Sequence, residues 1–177
     1  MRVISGKFKK RTLVTVKGHR TRPTTDYTKE VMFDILQNVE NMQVLDLFAG
    51  SGSLGLEALS RGAKFTHFVD FAENAISAMI TNFEKFGCGD DCKIHRRKVS
   101  AFLKKCEEKF DLIFLDPPYD KNLLNNTIEL IFENELLTEN GVIIAEHSTR
   151  EKIKLTDKII NQKMGKAITI TVMKNKT

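Results

Sequence analysis

From Gln43 onward the chain switches regularly between short apolar runs and helix-patterned stretches, and this alternation limits the fold more than any other feature. Apolar runs at 44–48, 65–70, 93–95, 112–115 and 141–146 read as strands. The stretches between them, at 54–61, 74–86, 101–106 and 123–132, read as helices; Ile76, Met79, Ile80 and Phe83, for example, fall at three- and four-residue spacing. A strand followed by a helix and another strand needs a crossover, so the pattern predicts a parallel sheet with right-handed connections. The last two apolar runs, 153–160 and 167–173, are separated only by Asn161-Gln162-Lys163-Met164-Gly165 and predict an antiparallel hairpin at the sheet edge. The sum is a seven-stranded mixed α/β sheet. A length of 177 residues accommodates it as a single domain, 1–177.

The first residues read differently. Val3-Ile4, Phe8 and Leu13-Val14-Thr15-Val16 alternate weakly around Ser5-Gly6 and a basic stretch, which predicts two or three short strands forming a β-hairpin extension over 1–22, ahead of an α/β core at 23–177. Arg22-Pro23-Thr24-Thr25-Asp26 gives a proline stop followed by helix-capping residues, and Val31, Met32, Ile35, Leu36 and Val39 predict an amphipathic helix of about four turns. Charge is concentrated in the same region. Nine of the 28 lysines and arginines but only two acids lie in 1–30, a surplus of seven cations against a whole-chain charge of +5. Such a segment is an electrostatic footprint for a polyanion, nucleic acid above all. Lys7, Lys9, Lys10, Arg11, Arg20 and Arg22 are the candidate nucleic-acid contacts.

Other classes of function find little support. No stretch approaches the roughly 20 apolar residues of a membrane span, and the start, Met1-Arg2-Val3-Ile4-Ser5-Gly6-Lys7, has no leader-like apolar segment. A cytoplasmic location is expected. Cys88, Cys92 and Cys106 are an odd set without paired spacing, read as reduced thiols; His19, His67, His95 and His147 fall in no metal-ligand pattern, so no metal is expected.

Two stretches carry chemistry. Asp46-Leu47-Phe48-Ala49-Gly50-Ser51-Gly52-Ser53-Leu54-Gly55 places a G-x-G-x-x-G between a predicted strand and a predicted helix. Glycines there let the backbone approach a ligand, the helix start presents free N–H groups, and Asp70 at the next strand end suits a ribose diol. NAD(P) and S-adenosylmethionine both fit that half. The second stretch, Asp116-Pro117-Pro118-Tyr119, decides between them. It ends an apolar strand in a forced turn, where ligands of open α/β sheets bind. A nucleobase amine is a poor nucleophile because its lone pair is delocalised into the ring. The Asp116 carboxylate and Pro117 carbonyl, accepting from its N–H bonds, would aim that lone pair at a methyl donor while Tyr119 stacks on the base. The base would first have to leave its stack.

These residues resemble a known family. The glycine-rich stretch continuing through Leu56-Glu57-Ala58-Leu59-Ser60-Arg61-Gly62, together with Asp116-Pro117-Pro118-Tyr119 and Arg22-Pro23-Thr24-Thr25-Asp26, is similar to the bacterial 16S rRNA guanine-N2 methyltransferases, the RsmD-like family. The resemblance implies a class I, Rossmann-like methyltransferase fold with the last strand antiparallel, S-adenosyl-L-methionine as cofactor, and the N2 amine of a guanine in 16S rRNA of the small subunit as acceptor. It implies catalytic roles for Asp116, Pro117, Pro118 and Tyr119. Cofactor contacts are implied at Thr24, Thr25, Asp46, Phe48, Ala49, Gly50, Ser51, Gly52, Asp70, Phe71 and Val99. Where relatives carry an adenine-binding acid or amide this chain has Lys98-Val99, which leaves backbone groups at Val99 or Ser100 for that contact; Phe71-Ala72 replaces a second acid after Asp70. A DNA adenine-N6 or cytosine-N4 methyltransferase, and a non-catalytic RNA-binding assembly factor, are the alternative functions, and a monomer is the favoured state.

Overall fold

The computed structural model describes residues 1–16, 25–118 and 122–175. Seven strands form one sheet in the order β3-β2-β1-β4-β5-β7-β6: β1 (Gln43–Leu47), β2 (Phe65–Asp70), β3 (Cys92–Arg96), β4 (Phe110–Leu115), β5 (Leu137–Ser148), β6 (Ile159–Met164) and β7 (Ile168–Lys174). The first five run parallel, and β7 enters antiparallel between β5 and β6. Helices α1 (Asp26–Leu36), α2 (Ser53–Ser60) and α3 (Glu73–Phe86) cover one face; α4 (Val99–Leu103) and α5 (Leu123–Glu133) cover the other. Leu45, Leu47, Ile113 and Leu115 face α4 and α5, whereas Val44, Leu112 and Phe114 face α1 to α3. Burial on both faces is why these strands are apolar at nearly every position.

Three expectations shift. Helix α1 ends at Leu36, three turns long rather than four, because Gln37 takes φ 61; Val39 is buried beyond the helix. Strand β6 begins at Ile159, so Asn161, Gln162 and Lys163 lie in a strand where a turn was expected, and the hairpin turns near Gly165. β6 is the edge strand and exposed along almost its whole length, so its sequence is as polar as a turn. Ile153 is buried instead with the core under α5.

The N-terminal segment is the third. It doubles back, but through a single antiparallel bridge, Arg2 to Thr12, with a short 3₁₀ turn at Gly6–Phe8 rather than paired strands. Backbone hydrogen bonds from the Val3, Lys10 and Leu13 N–H groups to the Arg11, Val3 and Met1 carbonyls close the doubled-back segment on itself, and side chains of the core supply further partners. Glu57 of α2, fully buried, accepts the Ile4 and Ser5 N–H groups at 2.8 and 3.0 Å and the Arg61 Nε at 2.8 Å. Lys29 of α1, also fully buried, sits 3.8 Å from Glu57 and donates to the Arg2 carbonyl at 2.5 Å. The Ser60 hydroxyl accepts the Phe8 N–H, and Gly6 lies so close that an added Cβ would fall 1.7 Å from the Ser60 carbonyl oxygen. On α3, the Asn82 carboxamide clasps both backbone groups of Val14, at 2.8 and 3.0 Å, as a neighbouring strand would.

Candidate active site

Leu47 pairs with Val69 and with Leu115, and Leu115 pairs with Ala145. The next residue on each strand therefore forms a row along the carboxyl edge of the sheet: Asp70, Phe48, Asp116 and Glu146. Strand alternation puts Asp46, Asp70, Asp116 and Glu146 on the face of Val44, Phe68, Phe114 and Ile144, towards α1 to α3. Asp70, Asp116 and Glu146 thus stand at the carboxyl edge, with Asp46 two residues further in on β1, where open α/β sheets bind ligands.

The glycine loop joins the first two. Phe48 adopts φ 60, a conformation that disfavours bulky side chains and tends to occur where a loop is held for function. The Ala49 N–H donates to the Val69 carbonyl at 3.1 Å. Asp70 holds the loop from the side: one carboxylate oxygen accepts the Gly50 N–H at 2.9 Å, the other the Ala72 N–H at 2.9 Å. Each oxygen keeps a second acceptor direction. Gly52 ends the loop at φ 80, and α2 begins at Ser53. Asp46 lies beneath it, 2% exposed, accepting the Gly55 N–H at 2.8 Å. Burial raises its pKa to about 7, against the Gly55 hydrogen bond, and the negative charges of Asp116 and Asp70 add to the rise.

Other candidate residues divide. Phe71 is 60% exposed beside Asp70, an apolar face open to solvent. Val99, first residue of α4, buries its side chain in the core and leaves only its backbone to a ligand, while Lys98 is exposed. Ser51 is buried, its hydroxyl donating to the Met1 sulfur at 3.8 Å and its carbonyl accepting from Asn82 at 2.9 Å, so it faces the N-terminal segment. Thr25 caps α1, its side chain accepting the Thr28 N–H at 3.1 Å. Asp116 and Pro118 are half-buried and Pro117 buried. Thr24, Tyr119, Arg20 and Arg22 lie outside the described residues.

The basic segment is not uniform. Lys9 and Lys10 are exposed. Lys7 pairs with Asp91 at 3.1 Å on the surface. Arg11 is committed to the core's edge: its guanidinium donates to the Lys85 and Phe86 carbonyls at the end of α3 and stands 4.5 Å from the Phe86 ring centre. Cations at a helix C-terminus complement the dipole, which makes Arg11 a structural clamp.

Sequence patterns alone missed Glu57, Asn82 and Glu146. Glu57 and Asn82 look like ordinary helix-surface residues. Glu146 carried a readable signal, an acid closing the apolar run Val142-Ile143-Ile144-Ala145, the same signal that marks Asp70 and Asp116. A cavity of about 280 Å³ lined by Ser5, Gly6, Phe33, Gln37, Asn38, Val39 and Arg61 contains none of the candidate residues. Among the described residues no cluster of His, Cys, Asp and Glu could hold a metal, and no helix is long and apolar enough to cross a membrane.

Known proteins are similar to this chain in sequence and in fold. A family model described as Conserved hypothetical protein 95 matches residues 1–173. The Bacillus subtilis protein YlbH, provisionally named an rRNA methyltransferase, is 41% identical over 160 residues, spanning 88% of this chain and 87% of its own. Ribosomal RNA small subunit methyltransferase D of Haemophilus influenzae is 35% identical over 150 residues, 82% of this chain and 78% of its own. Among solved structures, the Escherichia coli protein yhhF, provisionally named a methyltransferase, superposes with a TM-score of 0.86 at 29% identity, covering 97% of this chain and 96% of that one. The chain therefore belongs to the Conserved hypothetical protein 95 family, the RsmD-like group its motifs resemble, and folds as a class I methyltransferase.

Proposed function

We propose that this protein is an S-adenosylmethionine-dependent rRNA methyltransferase whose acceptor is the exocyclic N2 amine of a guanine in 16S rRNA of the small subunit. One observation carries the reading: a nucleotide-type loop anchored by Asp70 lies in the same row of strand ends as Asp116-Pro117-Pro118. Donor and acceptor halves are then one strand apart.

The residues present fit the cofactor. The spare acceptor directions of Asp70 suit two ribose hydroxyls, the exposed Phe71 ring suits the face of adenine, and backbone N–H groups near Val99 replace the side chain that Lys98 cannot supply. Asp46, Phe48, Ala49, Gly50 and Gly52 shape the wall beside it, with Thr24 and Thr25 at the methionine end and Ser51 bracing the loop from behind. Bound there, S-adenosylmethionine supplies an activated methyl group on a sulfonium. The chain's own residues then position and exclude. Asp116 and the Pro117 carbonyl accept from the amine and turn its lone pair outward, Pro118 stiffens the turn, and Tyr119 stacks on the extruded base. The exposed Lys9 and Lys10, with Lys7, Arg20 and Arg22, hold phosphates of the RNA.

Incubation with methyl-labelled S-adenosylmethionine and either small ribosomal subunits, naked rRNA or DNA, followed by digestion to nucleosides, tests this. Labelled N2-methylguanosine from the ribosomal substrates is the expected product. Labelled N6-methyladenine or N4-methylcytosine in DNA, or no transfer to any substrate, overturns it.

A further inference from the structure

The described cations of the N-terminal segment lie at the end of the sheet away from the strand-end row. Lys7 pairs with Asp91, directly before β3, and Lys9 and Lys10 follow Phe8, whose N–H is held by Ser60 at the end of α2. Both anchor points belong to the amino edge, where helices end and strands begin. The five residues of β3, at about 3.3 Å each, put that edge about 17 Å from Asp70, or about five nucleotides along a duplex strand. Phosphates flanking a base in the candidate active site are beyond the reach of these lysines.

A second set of cations stands at the nearer edge. Residues 93–109 carry seven lysines and arginines against two acids, whereas outside them and the first 30 residues the balance is twelve against nineteen. Arg96, Arg97 and Lys98, all exposed, are consecutive at the carboxyl end of β3. Arg96 pairs in the sheet with Asp70, and the Arg97 N–H donates to the Asp70 carbonyl at 3.0 Å, so the trio is fixed one strand from the anchor of the glycine loop. Among the described residues its acid partner is Glu73, 3.8 Å from Arg96 with both side chains mostly exposed, a surface contact readily exchanged for a phosphate.

We propose that Arg96, Arg97 and Lys98 form a phosphate-binding rim beside the candidate active site, holding the RNA backbone next to the base that is methylated. The assignment rests on the rRNA methyltransferase reading. The cofactor gives the trio no partner: S-adenosylmethionine has no phosphate, and its sulfonium and ammonium outweigh its single carboxylate. Three cations beside a site for a cation oppose its binding, and solubility would be served as well anywhere else on the surface. An RNA strand removes that opposition, because its phosphates neutralise the trio and release counterions as they do so. Such contacts fix where the strand lies without reading its sequence. With Lys9 and Lys10 at the far edge, the RNA is gripped in two places, and the extruded base lies beside the nearer one.

The test compares wild type with the triple variant Arg96→Gln, Arg97→Gln, Lys98→Gln in binding to small ribosomal subunits across a salt series and in steady-state methylation of them. All three side chains are exposed, so the variant should melt as wild type does. The slope of log affinity against log salt should fall by about 2 to 3, at about 0.7–0.9 per phosphate contact. At about 0.15 M salt, KM for the subunit should rise at least tenfold while kcat changes less than threefold. Affinity for S-adenosylmethionine without RNA, measured by calorimetry, should stay equal or rise as repulsion is relieved. Arg96→Lys with Arg97→Lys keeps the charge and should keep the wild-type slope. An unchanged slope in the glutamine variant assigns the trio to solvated surface, and a loss of cofactor affinity assigns it to the cofactor site; either overturns the proposal. Wild-type protein that binds subunits but transfers no methyl group to them would instead remove the underlying reading, and the salt slopes would still decide whether the trio holds RNA. Wild-type protein that does not bind subunits overturns both.

Discussion

Replacing Glu57 by alanine removes one side chain and strands several groups at once. The Ile4 and Ser5 N–H groups lose their acceptor, Arg61 loses its 2.8 Å partner, and Lys29, fully buried, loses its counter-charge. Breaking a buried pair by removing one partner costs about 3–5 kcal/mol. The lower half of that range is the better figure here, because the released N-terminal segment can rehydrate its backbone. For a chain of this length about 4 kcal/mol corresponds to a Tm lower by about 10 °C. The loss is pH-dependent. Burial already lowers the Lys29 pKa, opposed chiefly by Glu57. Without Glu57 it falls further, so the unfolded chain binds more protons than the folded one below the ordinary lysine pKa, and stability rises with pH as Lys29 sheds its proton. Thermal melts from pH 7 to 10 should therefore converge on wild type at the alkaline end, and limited proteolysis at pH 7 should cut within residues 1–16. A Tm within about 2 °C of wild type at pH 7, or a deficit that does not shrink with pH, would refute the reasoning.

Asp116→Ala should lower turnover at least 1,000-fold while cofactor affinity, measured by calorimetry, stays within about threefold; near-normal turnover would remove Asp116 from the acceptor site. Asp46, with its pKa raised to about 7 by burial and the adjacent Asp116 and Asp70, is part-protonated at neutrality. Its contribution to folding is present below the ordinary carboxyl pKa and lost as pH rises through 7, whereas a cationic ligand prefers it ionised. Cofactor affinity should thus climb between pH 6 and 8 with proton release, seen in buffers of different ionisation heat, and Asp46→Asn should flatten the curve. His67 and His95, in contact at 3.0 Å, both have lowered pKa values through burial, His95 to about 4. Their stabilisation is complete above about pH 6.5 and is lost as pH falls towards 4; His95→Phe should give a Tm less sensitive to acid over that window. Neutralising Lys9 and Lys10 should reduce the salt slope of RNA binding by about 1.5, whereas Arg11→Gln should chiefly lower Tm; an unchanged slope would assign both lysines to solvated surface.

How much of this was legible depended on how locally each feature is determined. Strands β1, β2 and β4 are buried on both faces, so their uniform apolarity announced them. The same logic marked Asp70 and Asp116, since an acid ending such a run has no packing role. β6 was misplaced because an edge strand with exposed side chains carries no burial pattern. The N-terminal segment defeated the sequence for another reason. Its partners, Glu57, Ser60 and Asn82, lie some 50 to 70 positions downstream, and nothing in the local pattern of Ile4 or Val14 reports them. The contacts of Arg11 were equally hidden: a cation in a basic run looks free until the end of α3 is seen beneath it.

That docking of residues 1–16 also constrains the order of folding. Ile4 waits for a carboxylate 53 residues later and Val14 for an amide 68 residues later. The first part of the chain to be synthesised is thus among the last that can settle. Closing loops of that length costs entropy before any contact repays it, so the sheet around β1 and β2, with α2 and α3 in place, must form first and then recruit the N-terminus. Until then the Lys29–Glu57 pair, sealed from water in the finished protein, remains solvated, and its desolvation belongs to a late step. Substitutions at Ile4, Ser5 or Gly6 should consequently speed unfolding far more than they slow folding.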